Sequence, residues 1–309
     1  MGYKLSGYKV IGNIEIDKKI AEMYVKNHHP QYSYNMDIRD FLLIPDEELP
    51  QDLFDIDILD GSPPCSVFSM AGNREDDWGK SKQFKEGQAK QTLDDLFFEY
   101  IKLIRKLKPK VYVAENVKGL IAGNAKGYVA EILKQIDAAG YTAQLFCLNS
   151  ALMGVPQRRE RVFVVGHRKG LGFPPLKLSF KEKPITFGKV REEGGRPVTA
   201  YSLNLLKQKC ITDVKLSDIN KRIWGKQSRF NAAIVWDNSV APTITAGGEY
   251  FKAYNDKAFS DMDYINCQTF PVDYDFCGQD VHYICGMSVP PYMMQRISKE
   301  IKVQWFSSK

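Results

Sequence analysis

The pattern of apolar and polar positions divides the chain in two. Over the first half, strand-like and helix-like segments alternate. Tyr8 to Ile16 (YKVIGNIEI) predicts a strand, and Lys18 to Asn27 a short helix. From Leu53 to Leu59, Ile56 and Ile58 share one face with aspartates opposite, a period of two that predicts another strand. Leu93, Leu96, Phe97, Tyr100, Ile101, Ile104 and Leu107 then recur at helical steps, an apolar stripe that stops before Pro109. Val111 to Ala114 predicts a buried strand, and Tyr128 to Ala138 a helix closed by Gly140. Two further strands are expected at Tyr141 to Leu148 and Arg161 to Gly166. Such alternation argues for an α/β fold, a parallel sheet flanked by helices.

After about Lys169 the periodicity weakens. Pro174, Pro175, Pro184, Gly194 and Gly195 interrupt the chain. From about Thr186 to Asn255, basic residues (Lys207, Lys209, Lys215, Lys221, Arg222, Lys226, Arg229) mix with Tyr201, Trp224, Phe230 and Trp236. This stretch predicts a second, smaller and irregular module. A helix returns near the C-terminus, where Met293, Ile297 and Ile301 follow Pro290 and Pro291, residues suited to a helix start.

Composition narrows the class. With 44% hydrophobic and 26% charged residues, the chain matches a folded protein rather than a disordered one. No run of about eighteen apolar residues is present to span a membrane, so no membrane partner is expected. The first residues lack an apolar secretory core. Six cysteines without close pairs at metal spacing predict neither a disulfide framework nor a metal site, and a cytoplasmic setting is expected. The net charge of +6 permits a polyanionic partner without requiring one.

Three segments carry candidate chemistry. GSPPCSVFSMAG (Gly61 to Gly72) follows directly on a predicted strand, and active sites of open parallel sheets lie at carboxyl ends of strands. Pro63 and Pro64 stiffen the backbone ahead of Cys65, the most nucleophilic kind of side chain near neutral pH. A free cysteine is more often a packed core residue; a proline-stiffened loop at a strand end shifts the balance toward function. Glu115 and Asn116 end the strand VYVA, where a buried carboxyl with raised pKa can act as an acid. Capping of the next helix is the plainer alternative. In GVPQRRERVFVVG, alternation places Arg159 and Arg161 on one face, suited to a phosphate or a base carbonyl. A solvated basic strand end is the ordinary alternative.

The series PPC, ENV, QRRER, a variable basic module and GMSVPP (Gly286 to Pro291) resembles the DNA cytosine-5 methyltransferases, of the bacterial or phage restriction-modification type. The resemblance spans about Met1 to Ile301. It implies a Rossmann-like S-adenosylmethionine-dependent methyltransferase sheet with a smaller, irregular target recognition domain. Residues 1–185 would form the catalytic and cofactor-binding domain, 186–255 the target recognition domain, and 256–309 a segment returning to the first. Cys65 would be the nucleophile at carbon 6 of cytosine, Glu115 the partner of ring nitrogen 3, and Arg161 the contact to the exocyclic oxygen, with Arg159 as a second candidate. Glu15, Ile16, Asp37, Ile38, Pro64, Leu96 and Ser288 match cofactor positions. Thr243, Ile244, Gly247 and Gly248, in VAPTITAGG, match the DNA-binding part of the recognition module. The implied partner is double-stranded DNA, with a cognate restriction endonuclease encoded separately, and the protein is expected to act as a monomer.

The sequence departs from the family pattern in places. The opening strand and its Phe-x-Gly-x-Gly-Gly loop are not found, and Met1 to Tyr3 align within the helix that follows them. The strands at Tyr8 and Leu53 are therefore expected to lack a common neighbour. Met287 stands where the family usually has asparagine, and Gln91 and Thr92 where it has an acid and an arginine. An exocyclic-amine methyltransferase would need an aromatic residue in place of Cys65, and an RNA cytosine methyltransferase usually has a reduced recognition region. The remaining alternative is a methylase-derived, sequence-specific DNA-binding protein without turnover.

Overall fold

The computed structural model describes residues 1–63, 95–121, 125–225 and 232–307. Pro64, Cys65, Gln91, Thr92 and Leu93 lie outside them, as do Lys226, Arg229 and Phe230. In chain order the elements begin with α1 (Gly2–Leu5), β1 (Gly12–Ile14), α2 (Lys18–His28), β2 (Tyr32–Tyr34), α3 (Ile38–Leu43) and β3 (Ile58–Gly61). Next come α4 (Leu96–Leu107), β4 (Val111–Val117), α5 (Lys126–Ala138), β5 (Gln144–Asn149) and β6 (Glu160–His167). Then follow α6 (Ala200–Leu206), α7 (Leu216–Trp224), β7 (Ala233–Val235) and β8 (Tyr250–Lys252). The C-terminal helices are α8 (Asp261–Gln268), α9 (Val281–Met287) and α10 (Pro291–Ile301). No helix among the described residues is long and apolar enough to cross a membrane.

The chain forms two compact units. The sheet unit comprises Tyr8–Leu148, Glu160–Leu178 and Glu300–Lys309. Its larger sheet has the order β3-β4-β6-β5, and β1 pairs only with β2 among the described residues. The pairs β1–β2 and β3–β4 are parallel, whereas β4–β6 is antiparallel. The sheet is thus mixed rather than uniformly parallel. Between β5 and β6 the chain makes only a short 3-10 turn at Ser150–Leu152 and irregular backbone.

Sequence periodicity placed these elements well but misjudged several ends. The predicted strand at Tyr8 to Ile16 contracts to the three residues of β1, the part opposite β2. The alternating run from Leu53 also behaves differently. Gln51–Phe54 turns as a 3-10 helix after Pro50, Leu53 and Phe54 pack into an apolar cluster with Phe41 and Leu103, and the strand starts only at Ile58. β4 runs beyond its apolar stretch to Val117, because β6 pairs with it from Val111↔His167 to Val117↔Arg161. Glu115 and Asn116 therefore lie within the strand rather than after it.

The amphipathic stripe of α4 and the inner face of α5 bury Phe97, Tyr100, Ile101, Ile104, Ile132 and Ile136 against Tyr112, Ala114, Val162 and Val164. The Tyr100 hydroxyl lies 2.9 Å from the Leu59 carbonyl and 3.0 Å from that of Val113, tying α4 to neighbouring strands. A Cβ on Gly61 would overlap that ring, so the end of β3 needs glycine for close approach.

The second unit comprises Met1–Gly7, Asn149–Arg159 and Ser179–Lys299. Leu205, Leu206, Leu216, Ile219, Ile234 and Phe251 form a core from α6, α7, β7 and β8. A fully buried ion pair, Lys252 with Asp263, ties β8 to α8. Asp263 also accepts from the Ser260 hydroxyl and backbone at the start of α8 and from the Glu192 amide. Lys252 donates to the Glu192 carbonyl, so the buried charges are surrounded by hydrogen bonds.

Candidate active site

In the sheet unit, β3 and β4 run parallel, and Glu115 and Asn116 lie toward the carboxyl end of β4. Register places Val117 opposite Arg161, and Glu115 lies two residues earlier on the same face. The two side chains meet: Arg161 Nε is 2.9 Å from Glu115 Oε1, and both are mostly buried. Burial lowers the Arg161 pKa, and the Glu115 carboxylate counters that shift. A second guanidinium nitrogen of Arg161 donates to the Glu160 carbonyl at 2.8 Å. An arginine and a carboxylate from separate motifs thus form one charged pair at the sheet's working edge.

Asn116 takes a different role. It is 3% exposed, and its Nδ2 donates to the Pro63 carbonyl at 3.1 Å while its Oδ1 accepts from the Val117 amide at 2.9 Å. This amide anchors the backbone immediately before Pro64 and Cys65, two expected site residues outside the described range. The sequence places Asn116 beside Glu115 at a strand end, an amide next to an acid, without assigning it a role.

A second group gathers after the parallel strands β1 and β2. Glu15 Oε1 accepts from the Asp17 amide at 2.9 Å. Burial raises the Glu15 pKa, opposed in part by that amide. Asn35 Nδ2 donates to the carbonyls of Glu15 at 2.8 Å and Ile16 at 3.1 Å, joining the two strand ends. Asp37 starts α3, with Oδ1 accepting from the Arg39 amide at 2.8 Å and Oδ2 3.3 Å from Arg39 Nη1. Ile38 opens that helix and packs on the cluster of Phe41 and Leu103. Leu96 is the buried first residue of α4.

The second unit holds the other expected residues. Ser288 ends α9, its hydroxyl donating to the Ile284 carbonyl at 2.7 Å, and Met287 beside it is 54% exposed. Thr243 Oγ1 donates to the Arg158 carbonyl at 2.7 Å. The Ile244 side chain is 0% exposed, so only its neighbours offer surface. A Cβ at Gly247 would meet nothing within 4 Å, whereas at Gly248 it would crowd the Tyr250 hydroxyl. Arg159 is 2% exposed and belongs to this unit, while Arg161 belongs to the sheet unit. Its Nη1 donates to the Ile244 carbonyl at 2.7 Å and its Nη2 to the Gly286 carbonyl at 2.9 Å. Arg159 and Arg161, two of the three arginines of QRRER, therefore meet different partners. Gln157, not singled out from sequence, joins Arg159 in this network; its position two residues before Arg159 was the only hint.

The chain as a whole resembles known proteins. A sequence model of the family described as C-5 cytosine-specific DNA methylase matches residues 1–303. The chain belongs to that family. The type II methyltransferase M.FnuDI of Fusobacterium nucleatum is 36% identical over 187 residues, covering 59% of this chain and 48% of that protein. M.Sau96I of Staphylococcus aureus is 28% identical over 328 aligned positions, covering 97% of this chain and 72% of its own length. The chain thus spans about half the length of M.FnuDI. A solved structure of a Spodoptera frugiperda DNMT2 mutant matches with a TM-score of 0.65 at 16% identity, covering 97% of this chain and 95% of that one. At that identity the likeness shows the fold alone, an α/β architecture shared with that structure.

Proposed function

We propose that this chain methylates carbon 5 of cytosine within a specific sequence of double-stranded DNA, with Cys65 as a transient covalent nucleophile and S-adenosylmethionine as cofactor. The observation that carries this reading is the Glu115–Arg161 pair, 2.9 Å apart at the edge where Asn116 anchors Pro63. Membership of the cytosine-5 methylase family supports it. The biological setting proposed is a restriction-modification system, with an endonuclease encoded separately and the methylase acting as a monomer.

Carbon 5 of cytosine is too weak a nucleophile to take a methyl group directly. Addition of the Cys65 thiolate to carbon 6 turns the ring into an enamine whose carbon 5 is electron-rich. Glu115 holds ring nitrogen 3 and stabilises the adduct, while Arg161 keeps the carboxylate oriented and contacts the exocyclic oxygen. After methylation a base removes the carbon 5 proton, carbon 5 and carbon 6 regain their double bond, and the thiolate leaves. Carbon 6 cannot be reached inside a stacked duplex, so the nucleotide must swing out.

The residues within and after β1, and those after β2, suit the cofactor chemically. One carboxyl oxygen of Asp17 and the side-chain amide of Asn13 are buried with no hydrogen-bond partner among the described residues, and Glu15 adds a second acid. Such a set suits a ligand rich in hydroxyl and amino groups. Glu15 would hold the ribose hydroxyls, Asp37 the adenine amino group and Ile16 the adenine face, with Ile38, Pro64, Leu96 and Ser288 as further cofactor residues. When bound, S-adenosylmethionine supplies an electrophilic methyl group on its sulfonium. Residues 186–255 would supply target recognition, with Thr243, Gly247 and Gly248 at the DNA and Ile244 anchoring them from below.

The deciding experiment incubates the protein with S-adenosylmethionine and duplex DNA containing 5-fluorocytosine, which blocks release of the thiolate. A covalent adduct is expected for the native chain and none for Cys65→Ser. No adduct with retained sequence-specific binding would make the chain a DNA-binding protein without turnover.

A further inference from the structure

Two side chains the proposed chemistry does not use hold the backbone of one residue from both sides. Gln157 and Arg159 occupy alternate positions on the segment entering β6; one is 0% and the other 2% exposed. Gln157 Oε1 accepts from the Ile244 amide at 2.9 Å, and Arg159 Nη1 donates to the Ile244 carbonyl at 2.7 Å. The same two residues also reach the segment after α9. Arg159 Nη2 donates to the Gly286 carbonyl at 2.9 Å. Gln157 Nε2 donates to Gln268 Oε1, and Gln268 Nε2 donates to the Ser288 carbonyl at 2.7 Å. All these residues lie in the second unit.

The surrounding contacts leave this backbone little freedom. The Arg158 amide donates to the Ala241 carbonyl at 2.8 Å. The Tyr250 hydroxyl donates to the Thr243 carbonyl and accepts from the Thr245 amide, each at 2.8 Å. A Cβ on Gly286 would overlap the Ala246 amide, so the two segments meet backbone to backbone. A guanidinium suits such a junction, because its rigid planar fork aims separate N–H groups at two fixed carbonyls; an ammonium has no such geometry.

We propose that Gln157 and Arg159 are positioning residues that set the register of Thr243–Gly248 against Gly286–Ser288, so that discrimination among DNA sequences and retention of cofactor depend on the same pair. This rests on the reading that the first segment meets DNA and Ser288 meets the cofactor. Arg159 then acts through backbone carbonyls rather than on the pyrimidine.

The test selects bound sequences from a random duplex library and measures S-adenosylmethionine binding by calorimetry, with melting temperature as control. The variants are Arg159→Lys, which keeps the charge and loses the fork, and Gln157→Met, nearly isosteric and uncharged. Loss of one of these hydrogen bonds should lower the preference for the selected consensus over single mismatches by about tenfold, and weaken cofactor binding by about tenfold. Either folded variant showing both losses supports the proposal. Native preference and native cofactor affinity in both variants overturn it, whatever their melting temperatures. Thr243→Ala paired with Gly247→Val tests the underlying reading separately: an unchanged sequence profile there would remove this segment from the DNA contact altogether.

Discussion

Glu115 and Arg161 show how one contact shapes a residue's chemistry. A glutamate at a strand end is ordinary; one lying 2.9 Å from a mostly buried guanidinium is held in a defined orientation. Glu115→Gln keeps the shape and loses the acid. It should lower kcat by ~10²–10⁴-fold in a methyl-transfer assay while leaving duplex affinity unchanged. An unaffected kcat would remove Glu115 from the chemistry. Glu15 yields a second expectation. Its folded pKa is raised by burial, so ionising it without ligand opposes folding, and this contribution to stability falls as pH rises through that pKa. Ligand hydroxyls favour the carboxylate, so cofactor affinity should run the other way, weakening as pH falls through the raised pKa. Calorimetric titration across that range should show the slope in the native protein and a flat profile in Glu15→Gln.

Among the elements, α4 was the most legible, because a stripe repeating at helical spacing buries itself on one side whatever it meets. Short strands were less so. The Leu53 to Leu59 alternation lost its first half to a turn behind Pro50, and β4 gained Glu115 to Val117 because β6 was available to pair with them. Local pattern reports which face is apolar; a partner strand decides where pairing ends. Asn116 belongs at this scale, since its amide joins β4 to the backbone at Pro63. Asn116→Ala should free that carbonyl and with it the anchor two residues before Cys65. A misplacement of about 1 Å at a nucleophile lowers rate by ~10²-fold, so kcat should fall by up to that amount. The melting temperature should drop by only ~2–4 °C, as expected for about 1 kcal/mol in a chain of this size. A large thermal loss with native kcat would mark Asn116 as structural alone.

At the scale of the molecule, the second unit depends on charges withdrawn from water. Lys252 and Asp263 are wholly buried and joined to Ser260 and Glu192. Removing the cation alone strands a buried carboxylate, so Lys252→Met should cost ~3–5 kcal/mol, read as a lower urea midpoint. Combining it with Asp263→Asn should recover most of that loss. If the single variant unfolds at the native midpoint, the pair contributes nothing to this unit. The overall architecture was foreseeable as strands alternating with helices, but its mixed sheet was not, since the direction of β6 depends on how ten residues after β5 turn back.

The order of motifs, the apolar stripes and the chemistry available to Cys65, Glu115 and Arg161 were written in the sequence, because residue type and spacing are local properties. Where each arginine of QRRER goes was not. The carbonyls that receive Arg159 belong to Ile244 and Gly286, 85 and 127 residues further along, and a buried guanidinium turns toward whatever acceptors the folded chain brings within reach. Only the tertiary structure assembles those acceptors, so only it could separate the arginine that faces the carboxylate from the one that holds the backbone.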